Sequence, residues 1–198
     1  TAFYAARKFY AQARVYVSLD HCWAMANAEN PYRYYAGRDF ITVLNQNVCA
    51  EGNFYWGIAY HPFPADLARA DFWNDQVAWD GYDTGKITFK NVEVLPAFFA
   101  QSQFLYNGCS RHIILSEQGL CSGQTAETEA LQADAFVLAY WKIARIAQIE
   151  AFIYHSHIDE INEGLYLGLL AEDGRHKPIY DRFKTIDGPN GTQLYWQA

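Results

Sequence analysis

A carboxylate at the mouth of an apolar run is where this sequence first offers chemistry. Ile113-Ile114-Leu115-Ser116-Glu117-Gln118-Gly119 is short and carries two β-branched isoleucines, which reads as a buried strand rather than a helix. Gly119 stops the run, so Glu117 stands where a core strand emerges into a loop. A charged carboxylate is costly to bury without a partner. At a strand mouth it can accept hydroxyl hydrogen bonds or attack an electrophile. The plainer alternative is a glutamate that salt-bridges the strand end.

Other apolar runs finish in the same manner. Arg14-Val-Tyr-Val-Ser-Leu-Asp20 ends on Asp20, Asn53-Phe-Tyr-Trp-Gly-Ile-Ala-Tyr60 on His61, and Glu150-Ala-Phe-Ile-Tyr154 on His155, His157 and Asp159. Two-residue alternation puts Val15, Val17 and Leu19 on one side of the first run, and Tyr16, Ser18 and Asp20 on the other. Continued across the set, it assigns Ser18, Asp20, Gly57, Ala59, His61, Leu115, Glu117, His155 and His157 to one interior, and Trp56, Ile58 and Tyr60 to the opposite face. In parallel α/β folds the carboxyl ends of the strands carry the active site. A single such residue would be a satisfied structural group; strand after strand ending this way points to a site.

The elements that must position these residues follow from the intervening segments. Helices are predicted over 2–12, 39–47 (stripe Phe40, Val43 and Leu44), 96–106 and 125–147, and a short last helix over 178–184. Thr125 is an N-cap, with Glu127 and Glu129 in the first turn and Lys142 and Arg145 towards the end, an order that suits the helix dipole. Asn30-Pro31 and Asn107-Gly108 are turn signals, and Asn190-Gly191-Thr192 fits a glycosylation sequon or a turn. The 63–90 segment is a long loop rich in Asp, Trp and Gly, and loops of that length in compact domains are usually functional. Helix and strand alternate throughout, which predicts parallel strands joined by right-handed crossovers. No GxGxxG or Walker pattern supports a nucleotide fold.

The 198 residues suit one core and a single domain over 1–198. Half the residues are apolar and 17% are aromatic, which excludes disorder. The net charge of −7 carries no basic cluster, arguing against nucleic acid or anionic lipid as partner. No apolar stretch is long enough to span a bilayer. Residues 1–12 do not read as a signal peptide, and because the chain starts without Met its location stays open, secretion or the cell surface included. Cys22, Cys49, Cys109 and Cys121 are widely spaced and form no zinc pattern; free thiols are the favoured reading, and disulfides, whose pairing the spacing does not assign, stay open.

Taken as a set, several segments resemble an uncharacterised bacterial family related to clan A glycoside hydrolases. They are His61-Pro-Phe-Pro-Ala-Asp-Leu67, Ile87-Thr-Phe-Lys-Asn91, Leu115-Ser-Glu-Gln-Gly119 and Ala151-Phe-Ile-Tyr-His-Ser-His-Ile-Asp159, with the later Gly164-Leu-Tyr-Leu-Gly-Leu169 and Lys177-Pro178. Ile113 to Gly119 looks like that clan's seventh-strand motif, whose glutamate is the nucleophile of a (β/α)8 barrel. The resemblance implies that the four strands correspond to strands five to eight, so that the chain is a half barrel. It implies Glu117 as nucleophile, held ionised by a donor such as Tyr60, His61 or His155. It implies Asp20 and His61, with Tyr60, His155 and His157, as binders of sugar hydroxyls, and a carbohydrate as partner with no cofactor. Trp23, Trp73 and Trp79 are candidate stacking walls. The clan's acid/base glutamate has no counterpart here and would lie before Thr1.

Two rivals stay open. A metal hydrolase would use His61, His155, His157 and Asp159 as ligands, since a His-x-His pair can place both imidazoles on one face. A catalytically inactive, carbohydrate-binding barrel would need no acid/base residue. A half barrel also leaves two unpaired sheet edges, so the expected partners include the missing half or another copy.

Overall fold

The computed structural model describes residues 2–26, 30, 35–160, 162, 164–188 and 191. Pro31 of the first turn and the ends of the sequon lie outside them. The elements run α1 (Ala2–Phe9), β1 (Tyr16–Asp20), α2 (Gly37–Ala50), β2 (Gly57–His61), α3 (Val94–Phe99), β3 (Ile113–Gln118), α4 (Ala126–Ile143), β4 (Ile149–Tyr154) and α5 (Pro178–Thr185). The four strands form one sheet in the order β1-β2-β3-β4, each pair parallel. Sequential order with helical crossovers is the arrangement of half a (β/α) barrel.

One face of the sheet is dry. Leu19, Ile58, Tyr60, Ile113 and Leu115 are buried on it, and Phe152 stacks there on Phe136 of α4. Helices α2, α3 and α4 supply the cover through Ile41 and Val48, Phe98 and Phe99, and Ala135, Phe136 and Ala139. The opposite face is open: Ser18 and Asp20 are exposed, and Ile153 keeps 53% of its surface. Position 57, opposite Tyr16 on this face, is a glycine because a Cβ there would fall 2.6 Å from the Tyr16 ring.

Two predicted helices change shape. The second runs over 14 residues and buries Ile41, Asn45 and Val48, while Phe40 and Val43 of the expected stripe remain 45% and 56% exposed. Asn45 takes a core-facing position because its amide donates to the Gln103 carbonyl at 2.8 Å. Binary patterning discounts an asparagine that finds a partner. The third helix stops after six residues, and Asn107 and Gly108, with φ of 51° and 78°, close a two-residue turn between Tyr106 and Cys109 instead. Thr125 caps α4 as expected, with Thr128 as its reciprocal partner. All four cysteines are free thiols.

The amino ends of the strands are knit by charge. Glu150 accepts from Arg14 at 3.0 Å, from the Tyr16 hydroxyl at 3.2 Å, and pairs with His112. Arg111 is fully buried there, stacked 4.1 Å from the Trp56 ring centre and donating to the Trp56 carbonyl and Asn53 Oδ1. Burial pulls its guanidinium down to about 10. In barrels this end serves stability, and the opposite end carries chemistry.

Candidate active site at the carboxyl ends of the strands

Parallel register sets the site. Asp20 pairs with His61, and His61 Nε2 lies 3.0 Å from Ser116 Oγ on the next strand. The His155 amide donates to the Gln118 carbonyl at 2.9 Å, which seats β4 beside the end of β3. Asp20, His61, Ser116 with Glu117, and His155 therefore stand in a row along four neighbouring strand ends. Adjacent strands are about 4.8 Å apart, so the row is roughly 15 Å long.

Glu117 reaches the surface through a bulge. Leu115 pairs with Phe152, yet Gln118 pairs with Tyr154, so three residues of β3 oppose two of β4. Strict alternation would have put Glu117 on the same face as Leu115. That expectation is corrected: Leu115 is fully buried under the helices, whereas Glu117 is exposed. A bulge bends a strand and re-aims its side chains, often beside active sites. Gln118 holds this one. Its buried side-chain amide donates to the carbonyls of Leu115 and Ile153, the two strands' own backbone. Gly119 then passes so close to β4 that a Cβ would meet the His155 carbonyl oxygen at 2.2 Å. Both residues shape the strand end: sequence reading used Gly119 only as the stop of the run and did not single out Gln118.

Two expected binders lie elsewhere. Tyr60 is fully buried on the helix-facing side, in register with Leu19 and Leu115. Burial also pushes its hydroxyl well above the ordinary value. Trp23 is fully buried too, edge-on to Phe98 at 4.9 Å, its Nε1 donating to the Tyr82 carbonyl. Neither contacts the open face, because a two-residue period places Tyr60 opposite His61 and the loop after β1 folds Trp23 inward. Trp73 and Trp79 stand 39% and 45% exposed on the 63–90 segment. His157 is exposed beyond β4.

Asp159 leaves the proposed metal set. It is buried and accepts both a paired Lys177 ammonium, at 3.0 and 3.1 Å, and the Gly168 amide at 2.7 Å. Among the described residues, the His, Cys, Asp and Glu side chains close enough to share an ion are Asp20, His21 and Cys22, with donor atoms within 4.8 Å. Lys86 Nζ sits 2.9 Å from His21 Nε2. An ammonium has only protons to give, so Nε2 accepts, the ring proton lies on Nδ1, and it is donated to the Phe63 carbonyl at 3.2 Å. A cation already occupies that lone pair, which makes the trio a poor metal site.

Burial, and then the Lys86 charge, hold His21 below the usual imidazole value, against the pull of Asp20. The folded chain thus binds this proton less readily than the unfolded chain, whose histidine titrates near about 6.5. Stability is expected to be level above that pH and to fall as pH drops below it, by at most ~1.4 kcal/mol per pH unit. Urea titrations in the weakly acidic range should show a shallower fall in His21→Gln, which keeps an acceptor for Lys86. Equal slopes in both proteins would remove His21 as the cause.

A family model described as a family of unknown function (DUF5722) matches residues 1–198. A search of the curated proteins finds no match. Similar solved structures include a family 39 glycoside hydrolase from Bacteroides cellulosilyticus WH2, with 18% identity over 74% of this chain and 29% of that one, at a TM-score of 0.48. The xylanase 10B CBM22-1-GH10 modules of Clostridium thermocellum are 16% identical over 91% and 31%, at 0.47. A GH2 β-galacturonidase from Eisenbergiella tayi is 12% identical over 69% and 23%, at 0.43. The chain therefore spans less than a third of the length of each of these structures.

Proposed function

Because the chain belongs to DUF5722, a family of unknown function, we propose its activity from the site: it carries the nucleophile half of a retaining glycoside hydrolase. The single observation behind this reading is the row of strand ends in which a bulge exposes Glu117 beside the His61–Ser116 pair. An ionised carboxylate at that point attacks an anomeric carbon, forms a glycosyl ester and releases the aglycone; water then cleaves the ester. The Ser116–His61 bond fixes the backbone immediately before Glu117. Asp20, His61, His155 and His157 offer acceptors and donors for ring hydroxyls. Trp73 and Trp79 offer exposed flat faces from the loop.

The acid that protonates the leaving oxygen must stand about 5–5.5 Å from the nucleophile. Asp20 is two strands from β3, about 10 Å by strand spacing, so it does not meet that requirement. We assign the acid to the other half of the barrel, which would also cover the open face. Hydrolysis of aryl glycosides by the full-length protein, with Glu117→Gln as control, tests the reading. If no panel of aryl glycosides is turned over, an inactive carbohydrate-binding barrel takes its place.

A half barrel predicts the behaviour of the isolated segment. Edge strands β1 and β4 and the exposed Ile153 seek partners. Sedimentation of residues 1–198 alone is expected to show self-association or precipitation that rises with concentration. A monodisperse monomer across the micromolar range would rule the half-barrel account out.

A further inference from the structure

The 63–90 segment does more than wall the site. Beside β1 it folds around a cavity of about 660 Å³, within the size range of sites for small molecules. Met25, Asp66, Asp71, Asp75, Gln76 and Lys86 are among its lining residues. The charges inside largely cancel. Asp71 is clamped by Arg69, which donates to both of its oxygens and holds the carboxyl down at about 2. Asp75 is buried and accepts from the Ala65 amide at 3.1 Å. Lys86 spends two protons, on His21 Nε2 and on the Ala65 carbonyl at 3.0 Å. An ammonium has three, so among the described residues one has no partner and is open to a ligand. Asp66 and Gln76 are exposed at the rim, and Met25 adds an apolar patch that is 43% exposed.

Such a lining suits a particular chemistry. Two cations within the cavity oppose a metal ion, and three carboxylates oppose an anion. A neutral polyol supplies both donors and acceptors on one face and C–H groups on the other, which matches carboxylate, amide, ammonium and thioether together. The cavity is also wired to the strand ends, because Lys86 holds His21, whose ring lies 4.0 Å from Asp20 at the end of β1.

We propose that this cavity is a second sugar-binding subsite, taking a neutral glycosyl unit of an oligosaccharide whose scissile end lies at Glu117. The proposal rests on the glycosidase reading for the second clause and on the cavity alone for the first. Met25 is the sole methionine of the 198 residues and gives the site its own probe. In the full-length Glu117→Gln protein carrying ¹³C-methyl methionine, the Met25 signal is identified by its loss in Met25→Leu. Titration with gluco-, xylo- and manno-configured hexasaccharides is expected to move that signal saturably for at least one of them. Asp66→Ala combined with Gln76→Ala, both at the exposed rim, should weaken the apparent Kd at least fivefold. No movement with any probe up to millimolar concentration would overturn the subsite, as would movement by calcium or glucuronate in preference to every neutral sugar. If Met25 responds to sugar while the wild-type protein hydrolyses no glycoside, the subsite stands and the catalytic reading falls. If hydrolysis occurs without a Met25 response, the reverse holds.

Discussion

Lys177→Met is expected to cost about 3–5 kcal/mol of folding free energy, the usual result of leaving one member of a buried ion pair behind. The lysine side chain is fully buried and Asp159 nearly so. Its ammonium also donates to Ser122 Oγ at 3.0 Å and to the Tyr166 carbonyl at 3.3 Å, so its donors are all directed. Burial lowers the proton affinity of Lys177 while the Asp159 hydrogen bond opposes the shift. Methionine fills a similar volume but leaves the carboxylate of Asp159 in a dry setting with, among the described residues, the Gly168 amide as its remaining donor. At the size of this chain the loss corresponds to a fall in Tm of roughly 6–20 °C. Asp159→Asn added to Lys177→Met removes the stranded charge, keeps an acceptor for Gly168, and should recover most of the loss. Calorimetry of the single and double variants reads this directly. A single variant within 1 kcal/mol of wild type, on the order of a surface pair, would mean that the pair is solvated.

The pair also anchors the segment that follows β4. After β4 the chain makes a long excursion and returns at Lys177. Backbone bonds pin it, among them Leu169 to Ser156, Leu170 to His157, Asp159 to Leu170, and Lys177 to Leu169. His155 and His157 sit at the base of that excursion. Loss of the lysine should loosen them together.

Glu117→Gln should leave the fold intact and remove hydrolysis, by on the order of 10⁴-fold or more if the covalent step is lost. The side chain is exposed, and no hydrogen bond or ion pair joins its carboxylate to another described side chain, so the amide strands nothing. It cannot, however, form the glycosyl ester. Glu117→Ala with azide adds a sharper readout: the small anion fills the vacated space, attacks the anomeric carbon and yields a glycosyl azide of inverted configuration. A rate in Glu117→Gln equal to wild type, or no azide product, would take the nucleophile role from this residue.

Much of the architecture was legible in the chain. In the first two strands Val17 and Leu19, and Ile58 and Tyr60, alternate with polar or small residues, and the sheet turns this set towards the helices, Val17 half-buried and the other three buried. Thr125 announced α4, and the helix–strand alternation gave parallel pairing. The α2 stripe was misread because an asparagine with a carbonyl partner took a core-facing place. Tyr60 and Trp23 were misassigned for a related reason. Aromatic residues serve a core and a sugar site equally well, and only the side of the sheet on which each falls separates the two uses.

The sequence by itself determined which residues crown the strands, since period and punctuation are local properties of a chain. Only the tertiary structure decided which of them share the open end. A bulge held by Gln118 turned Glu117 out of the alternation that would have buried it. A lysine 18 residues downstream withdrew Asp159 into the core, and another far from β1 in sequence captured His21. These are contacts between groups remote along the chain, where burial and pairing energies are settled jointly, and no local pattern encodes them.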